Sequence, residues 1–299
     1  DLVRSRGLGD VYKRQLFILL MGQADTLMLN SYSTNAVAAS GMTSQILMLI
    51  TFLITIIHVG TNIRIVHLKA HQTSMITKEI FHNLLFNIIV SIVFTLVVGM
   101  VFSPLLQLFQ VPKDIFNLTY QFGLVILSVL TLTSTQMYIG TVLRVMNYAA
   151  IATRITVISN LTNIILNAFV LFIIPDLVGN PVLAVAYATA ISRLLGCLLA
   201  FIALLKIYRP KLHYFKINFK ILYQVSTLGI PSAGEQISYN FAQTFTTAFI
   251  AMLGTQVIAA KSVATVLSGL SFSCAMAFSA ACQIYLGHFI ARHRYSVLK

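Results

Sequence analysis

The chain is poor in charge and contains no tryptophan. Of its 299 residues, 9% are charged and seven are Asp or Glu, against 58% hydrophobic residues and a mean hydropathy of +0.88. A soluble domain carries about 25% charged residues, so a soluble globular fold is excluded. The three cysteines are odd in number and lie in apolar stretches. They are interpreted as small core residues and not as a disulfide or zinc framework.

Long runs without charge predict membrane-spanning helices. Residues 115–143 and 236–260 carry no charged side chain, and each run exceeds the roughly 20 residues that a helix needs to cross the bilayer. A membrane barrel would instead show short alternating strands. We therefore expect an all-α integral membrane protein, a polytopic helical bundle. Its eight apolar segments lie near residues 16–33, 37–66, 81–109, 115–143, 151–174, 182–207, 222–253 and 257–290.

Basic residues alternate between the two sides of this predicted bundle. Most of them follow even-numbered segments, whereas the opposite loops contain only Lys113 and Lys261. By the positive-inside rule, the even-to-odd loops and the amino terminus are cytoplasmic. A nucleic-acid partner would need a continuous basic stripe, which this alternation does not provide. The expected partners are therefore the lipid bilayer and a small molecule.

Residues 1–15 differ from the rest of the chain. The stretch DLVRSRGLGDVYKRQ is polar and joins abruptly to LFILLMGQ, so it is interpreted as a non-native leader and is left out of fold reasoning. A basic targeting arm is the competing interpretation. Without the leader, segment 1 is short for a membrane span, and the native start of its helix is expected to be missing.

An internal repeat indicates two related lobes. NAVAASGMTSQI at residues 35–46 resembles QVIAAKSVATVL at residues 256–267, and both copies occupy an outer turn between an odd and an even segment. Both halves therefore enter the membrane in the same orientation, and parallel repeats are a known transporter plan. The predicted division is a six-helix lobe at residues 16–208, a cytoplasmic linker at 209–221, and two helices of a second lobe at 222–299.

The motifs QADTLMLNSYSTNAVAASG, LRVMNYAAIATRITVISNLTNIILNAFVLF, AVAYATAISRLLG and LGIPSAGEQ, followed by LGTQVIAA, narrow the class. In order and spacing they resemble the multidrug and toxic compound extrusion (MATE) family, most closely its bacterial DinF-like and NorM-like branches. The resemblance implies a bacterial inner membrane transporter of twelve helices, with helices 9–12 absent here. It also implies export of organic cations and other drugs in exchange for protons or sodium, without a cofactor and by a monomer.

Asp25 is the leading candidate for cation coupling. It lies nine residues before the outer turn at Thr34, about 13 Å deep at helical rise. A carboxylate at that depth is costly and indicates a functional site. Loss of hydration favours its protonated form, so proton uptake near neutral pH is expected. The resemblance implies that it binds the coupling cation, and a purely structural carboxylate paired with a donor is the alternative.

Several neutral residues accompany Asp25 in the family pattern. Asn163 and Asn167 are four residues apart and share one helix face. The family commonly has Asn at the first of these positions and Asp or Asn at the second, so this chain lacks the acid that some members carry there. The resemblance implies that both asparagines and Thr189 contribute to the cation pocket, while inter-helix packing is the alternative. Gln136 and Tyr138 are weaker candidates for lining the cavity. The lone histidines His58 and His288 are interpreted as packing residues.

Three further residues are candidates for the cation or substrate cavity. Glu235 lies four residues past Pro231, and Tyr239 stands where NorM-like members carry an acid. Glu235 is either a displaced cation ligand or a residue that extends towards the cytoplasmic surface. Arg193 should lie near mid-membrane, where it needs a partner, and Asp25 is one option.

Other functions remain open at this point. A lipid-linked oligosaccharide flippase of the same superfamily would place several Arg or Lys residues in its cavity, and Arg193 is the only one at mid-depth. A membrane-embedded enzyme would need metal-ligand clusters or acid-rich motifs, which the sequence lacks. A non-transporting scaffold is the third alternative. The favoured prediction is an antiporter and not an enzyme.

Overall fold

The computed structural model describes residues 25–71, 75–175, 179–210, 214, 219–269 and 271, which form helices and short turns without a strand. The all-α fold predicted from the sequence is confirmed. The predicted leader at residues 1–15 lies outside the described residues. The helices are α1 (residues 25–32), α2 (Thr34–His71), α3 (Ile76–Leu108), α4 (Lys113–Ser128), α5 (Leu130–Val145), α6 (Ala149–Ala168), α7 (Pro181–Ile207), α8 (Phe219–Ala251) and α9 (residues 255–269).

The described helices account for most of the predicted segments. By length and hydropathy, three could span a membrane, and up to five spans result if two bent pairs each count as one. Helix α8 is also long enough, at 33 residues, but is less apolar. Predicted segments 1 and 8 lie largely outside the described residues. The three straight spans are Ile76–Leu108, Ala149–Ile173 and Pro181–Ile207, and the bent pairs are Thr34–Thr51 with Leu53–Val66 and Lys113–Ser128 with Leu130–Val145.

Segment 4, predicted as one helix, is instead the bent pair α4 and α5, which meet at 46°. At the break the Val129 amide donates to the Ile126 carbonyl, three residues back, so the normal ladder is interrupted. The Thr133 hydroxyl donates to the Val129 carbonyl at 3.1 Å, which competes with the backbone for that acceptor. Such hydroxyl bonding to the preceding turn bends helices.

Two apolar clusters fill opposite ends of the bundle. The first packs α2, α3, α4 and α7 around residues such as Ile54 and Phe102, and the second packs α2, α3, α5 and α7 around Phe81 and Leu143. Between the clusters, the helices carry buried polar side chains. This polar layer consists of His58 on α2, Asn87 on α3, Ser134 on α5, Asn160, Asn163 and Asn167 on α6, and Thr189 and Ser192 on α7.

Helix α8, which the sequence assigns to a second lobe, packs along α2. A side chain at Gly60 would meet the Val225 carbonyl, and one at Gly229 would meet the Ile56 carbonyl, so both glycines are required for this close approach. One ion pair, Arg64 with Glu79, lies at the same end of the bundle. We call this the Arg64 end. The opposite, Asp114 end is tied by a bond from the Thr255 hydroxyl to the Asp114 carboxylate.

Candidate functional site

The Asp25 pocket is built by α1, α6 and α7. The Asn167 amide nitrogen donates to one carboxylate oxygen of Asp25, and the Thr189 hydroxyl lies 3.5 Å from the other. Asn163 donates to the Thr189 hydroxyl at 3.1 Å. Because Asn163 and Asn167 are one turn apart on α6, their amides reach Asp25 and Thr189 from the same side. These four residues, predicted together from the sequence, lie together in the structure.

The Thr189 hydroxyl has one proton and two acceptors. It lies 3.0 Å from the Val185 carbonyl of its own helix and 3.5 Å from Asp25. A hydroxyl donates only once, so the proton turns either to the helix or to the carboxylate. The hydrogen bonding of Thr189 can therefore follow the charge on Asp25.

The local structure of α6 and α7 positions these groups. A π-helical turn, Phe169–Ile173, begins two residues after Asn167. It widens the helix directly after the residue whose side-chain amide meets Asp25. Such turns occur frequently at functional sites. Helix α7 starts at Pro181 and is capped by the Asn180 side chain, which accepts from the Val182 amide at 3.1 Å. This cap fixes the start of α7 two turns before Thr189.

The Asn167 side-chain oxygen is buried without a hydrogen-bond partner in the described part of the protein. An acceptor oxygen therefore lies beside the Asp25 carboxylate. A carboxylate together with amide and hydroxyl oxygens is a donor set that suits a hard monovalent cation, and the same carboxylate can take a proton.

Arg193 lies near Asp25 but does not form the direct pair considered from the sequence. Its guanidinium donates to the Asn160 side-chain oxygen at 3.4 Å, and the single ion pair among the described residues is Arg64 with Glu79. Electrostatic attraction still acts between Arg193 and Asp25. The carboxylate is therefore free to bind another cation while Arg193 offsets part of its charge.

A cavity of about 430 Å³ adjoins the pocket. It is lined by side chains of α1, α2, α4, α5, α7, α8 and α9, and its charged lining residues are Asp25, Arg193 and Lys261. Lys261 was assigned to an outer loop by sequence, yet its ammonium group donates to the Thr247 hydroxyl at the cavity wall. The internal repeat contained the missed signal, since it aligns Lys261 with Ser40, which also lines the cavity.

Comparisons with known proteins identify the family of this chain. The family model described as MatE matches residues 14–169 and 231–299. The chain belongs to the MatE family. The MATE resemblance stated from the motifs is thereby confirmed, and members of this family are integral membrane transporters.

One curated relative is similar to this MatE chain in sequence, and two solved structures are similar to it in fold. It is 30% identical to the uncharacterized transporter YisQ of Bacillus subtilis (strain 168), over 91% of this chain and 61% of that protein. It matches the inward-facing conformation of a multidrug resistance MATE family transporter with a TM-score of 0.80 at 20% identity, covering 94% and 66% of the two chains. A mutant form of the Vibrio cholerae MATE transporter VcmN matches with a TM-score of 0.74 at 18% identity, covering 91% and 63%.

Other candidate residues of this MatE chain lie away from the described cavity lining. The Gln136 carboxamide packs against Gly196 of α7, and Tyr138 is fully buried with its hydroxyl donating to the Ile80 carbonyl at 2.8 Å. Tyr239 is 60% exposed and accepts from the Gln243 amide at 3.2 Å. Glu235 lies within α8, and its side chain is outside the described part. None of the first three lines the cavity.

Proposed function

We propose that the protein is a cation-coupled antiporter that exports xenobiotics, organic cations among them, by alternating access. The observation that supports this proposal is the Asp25 carboxylate, held by Asn167 and Thr189 at the edge of a cavity between the lobes. A buried carboxylate with adjustable neutral donors can bind a proton or sodium and change charge in doing so. It is a transport site, and no chemical reaction of the substrate is required.

The coupling would act through charge at the cavity. With Asp25 ionised, a cationic substrate and the coupling ion compete for the same carboxylate. When the coupling ion binds, the Thr189 hydroxyl turns to donate its hydrogen bond to the Val185 carbonyl, and the attraction for a cationic substrate is lost. Each conformation then holds either the ion or the substrate, which is the requirement for exchange.

We further propose a bacterial inner membrane location, with the amino terminus and the Arg64 end cytoplasmic, and a monomeric transporter. The alternation of basic loops supports this orientation. The chain spans about 61% of the curated relative that it matches, so the transport activity of the whole protein is part of the proposal.

The decisive experiment is transport by the purified full-length protein in liposomes. A preloaded fluorescent organic cation is followed while a proton gradient or a sodium gradient is imposed, with protein-free liposomes as the control. We expect efflux that depends on one of the two gradients. Efflux that is indifferent to both would contradict the coupling, and no efflux would contradict the transport function.

A second function, translocation of a lipid-linked oligosaccharide, gains support from one observation. The cavity contains Lys261 as well as Arg193, so its basic lining residues outnumber its one described carboxylate. Two basic groups can hold an anionic phosphate. Competition between the organic cation and an amphipathic anion in the liposome assay separates the two functions, since only a flippase-like cavity prefers the anion.

A further inference from the structure

A second buried polar region lies between α2, α3 and α5. It consists of His58, Asn83, Asn87 and Ser134, and we call it the His58 cluster. The Asn87 side-chain oxygen accepts from the Ser134 hydroxyl at 2.9 Å and from His58 Nε2 at 2.9 Å. His58 thus carries its proton on Nε2, and Nδ1 is able to accept another.

The amides of this cluster indicate bound water. Both polar atoms of the Asn83 side chain and the Asn87 nitrogen are buried without a hydrogen-bond partner among the described residues. A buried polar group that stays without a hydrogen-bond partner destabilises the fold. Buried polar groups are otherwise satisfied by ordered water. Three such atoms on successive turns of α3 therefore favour water molecules beside His58.

The cluster lies between the cavity and the Arg64 end. Thr51 lines the cavity and precedes His58 by seven residues on the same face of α2, about 10 Å at helical rise. Arg64 follows His58 by six residues, about 9 Å further on. Ser134 directly follows Thr133, another cavity residue.

The opposite face of α2 is closed by α8. The contacts of Gly60 with Val225 and of Gly229 with Ile56 bring the two backbones together at the level of His58. At the level of His58, the α2–α8 contact is therefore close backbone packing, and the described polar groups of the His58 cluster lie inside the lobe. A proton that moves from the cavity to the Arg64 end would therefore pass the His58 cluster.

Charged and titratable groups lie around His58 on the helices packed against it. On α5, the positive charge of Arg144 acts on the imidazole, and Tyr138 packs edge-on with ring centres 5.8 Å apart. On α2 and α3, the Arg64–Glu79 pair lies towards the bundle end, and His82 is a buried neighbour of Asn83. The charged residues of α8 are Lys220 and Glu235, whose side chains are outside the described part.

We infer that His58 carries protons between the Asp25 cavity and the Arg64 end of the bundle. The inference rests on the proposed antiporter function and specifies the proton as its coupling ion. A proton leaves the Asp25 carboxyl group and reaches His58 Nδ1 through bound water, which forms an imidazolium. A proton then leaves the imidazolium to water at the Arg64 end, and the neutral ring is restored.

The test compares His58→Gln with wild type in the full-length protein, reconstituted in liposomes with an internal pH dye. Glutamine can keep a donor towards Asn87 but cannot carry a proton. Thr55→Val is the matched control, because Thr55 bonds only to the Thr51 carbonyl of its own helix at 2.9 Å. We expect His58→Gln to slow proton-driven export at least tenfold and to flatten its pH profile, with substrate affinity and substrate-for-substrate exchange retained.

Four outcomes would overturn the inference. His58→Gln with wild-type rate and pH profile removes His58 from the route, while the antiporter proposal stands. Equal losses of proton-driven export and substrate exchange indicate a structural role. Wild-type export driven by sodium alone contradicts the proton route but not the antiporter, whereas wild-type protein without any export contradicts both proposals.

A second measurement does not depend on transport. X-ray radiolysis of water labels side chains that contact bound water, so His58 should be modified faster than Phe102, which is fully buried in an apolar cluster. Labelling of His58 as slow as that of Phe102 would show a dry cluster and overturn the inference.

Discussion

The Asp25 pocket and the His58 cluster are two buried polar regions of the same lobe, and they differ in charge and access. The pocket contains a carboxylate, has Arg193 nearby and opens onto the cavity. The cluster is built from neutral amides, a hydroxyl and an imidazole, and the described cavity lining includes none of its members. Charge next to a cavity suits exchange of an ion with the substrate, whereas neutral groups inside the lobe suit passage of a proton.

The largest expected effect comes from Asp25→Asn. This substitution removes the negative charge that distinguishes the Asp25 pocket from the His58 cluster. The amide keeps the size of the side chain but cannot take up a proton or neutralise a cation. We expect gradient-driven export to fall to the level of protein-free liposomes, measured by dye efflux. Normal gradient-driven export by this variant would show that the pocket is structural.

Asn167→Leu should weaken the pocket without removing its charge. The Asn167 amide donates to the Asp25 carboxylate, and a hydrogen bond to a charged group contributes about 1.5–3 kcal/mol. We expect the concentration of coupling ion needed for half-maximal export to change by about 10- to 100-fold. Asn117→Leu on α4 is the control, since Asn117 is exposed and does not line the cavity. An equal effect of both variants would argue against the pocket.

The same substitution in the other region, Asn87→Leu, sharpens the comparison because its main effect should be on stability. It leaves the Ser134 hydroxyl and His58 Nε2 without their acceptor, at about 1–3 kcal/mol for each group. We expect a lower midpoint of thermal unfolding than for Asn167→Leu, measured in detergent or nanodiscs. The reverse order would mean that the pocket, and not the cluster, stabilises the lobe.

The smallest effect is expected for Tyr138→Phe. The variant loses the hydrogen bond to the Ile80 carbonyl, worth about 1 kcal/mol in unfolding free energy. Because the Tyr138 ring does not line the cavity, substrate affinity should stay within about twofold. A large loss of affinity in a binding titration would indicate that Tyr138 lines the cavity, as the sequence pattern had suggested.

The comparison also shows which features the sequence could reveal. Asp25, Asn163, Asn167 and Thr189 were predicted together because helical spacing places the two asparagines on one face and the motif joins them to the other two. Gln136 and Tyr138 were predicted to line the cavity, but the described cavity lining includes neither residue. They follow the break at Val129, which arises from hydroxyl bonding without proline and changes the direction of the helix.

Other features depend on packing that no single motif encodes. His58 was interpreted as a packing residue, since only the structure brings it to Asn87, 29 residues further along the chain. The rotation of each helix about its axis follows from its neighbours, so the sequence could identify polar residues at mid-depth but not which of them meet. Lys261 was missed although the repeat aligns it with Ser40, because only the structure shows that Ser40 lines the cavity.

The two bends of the bundle have a further consequence for movement. Helix α2 bends by 42° between Thr51 and Leu53, and the pair α4 and α5 bends by 46° at Val129. Thr51 and Val129 both line the cavity, so the bends occur at one level. We expect the halves towards the Asp114 end to swing together about these bends, which would widen the cavity while the Arg64 half of the bundle keeps its packing.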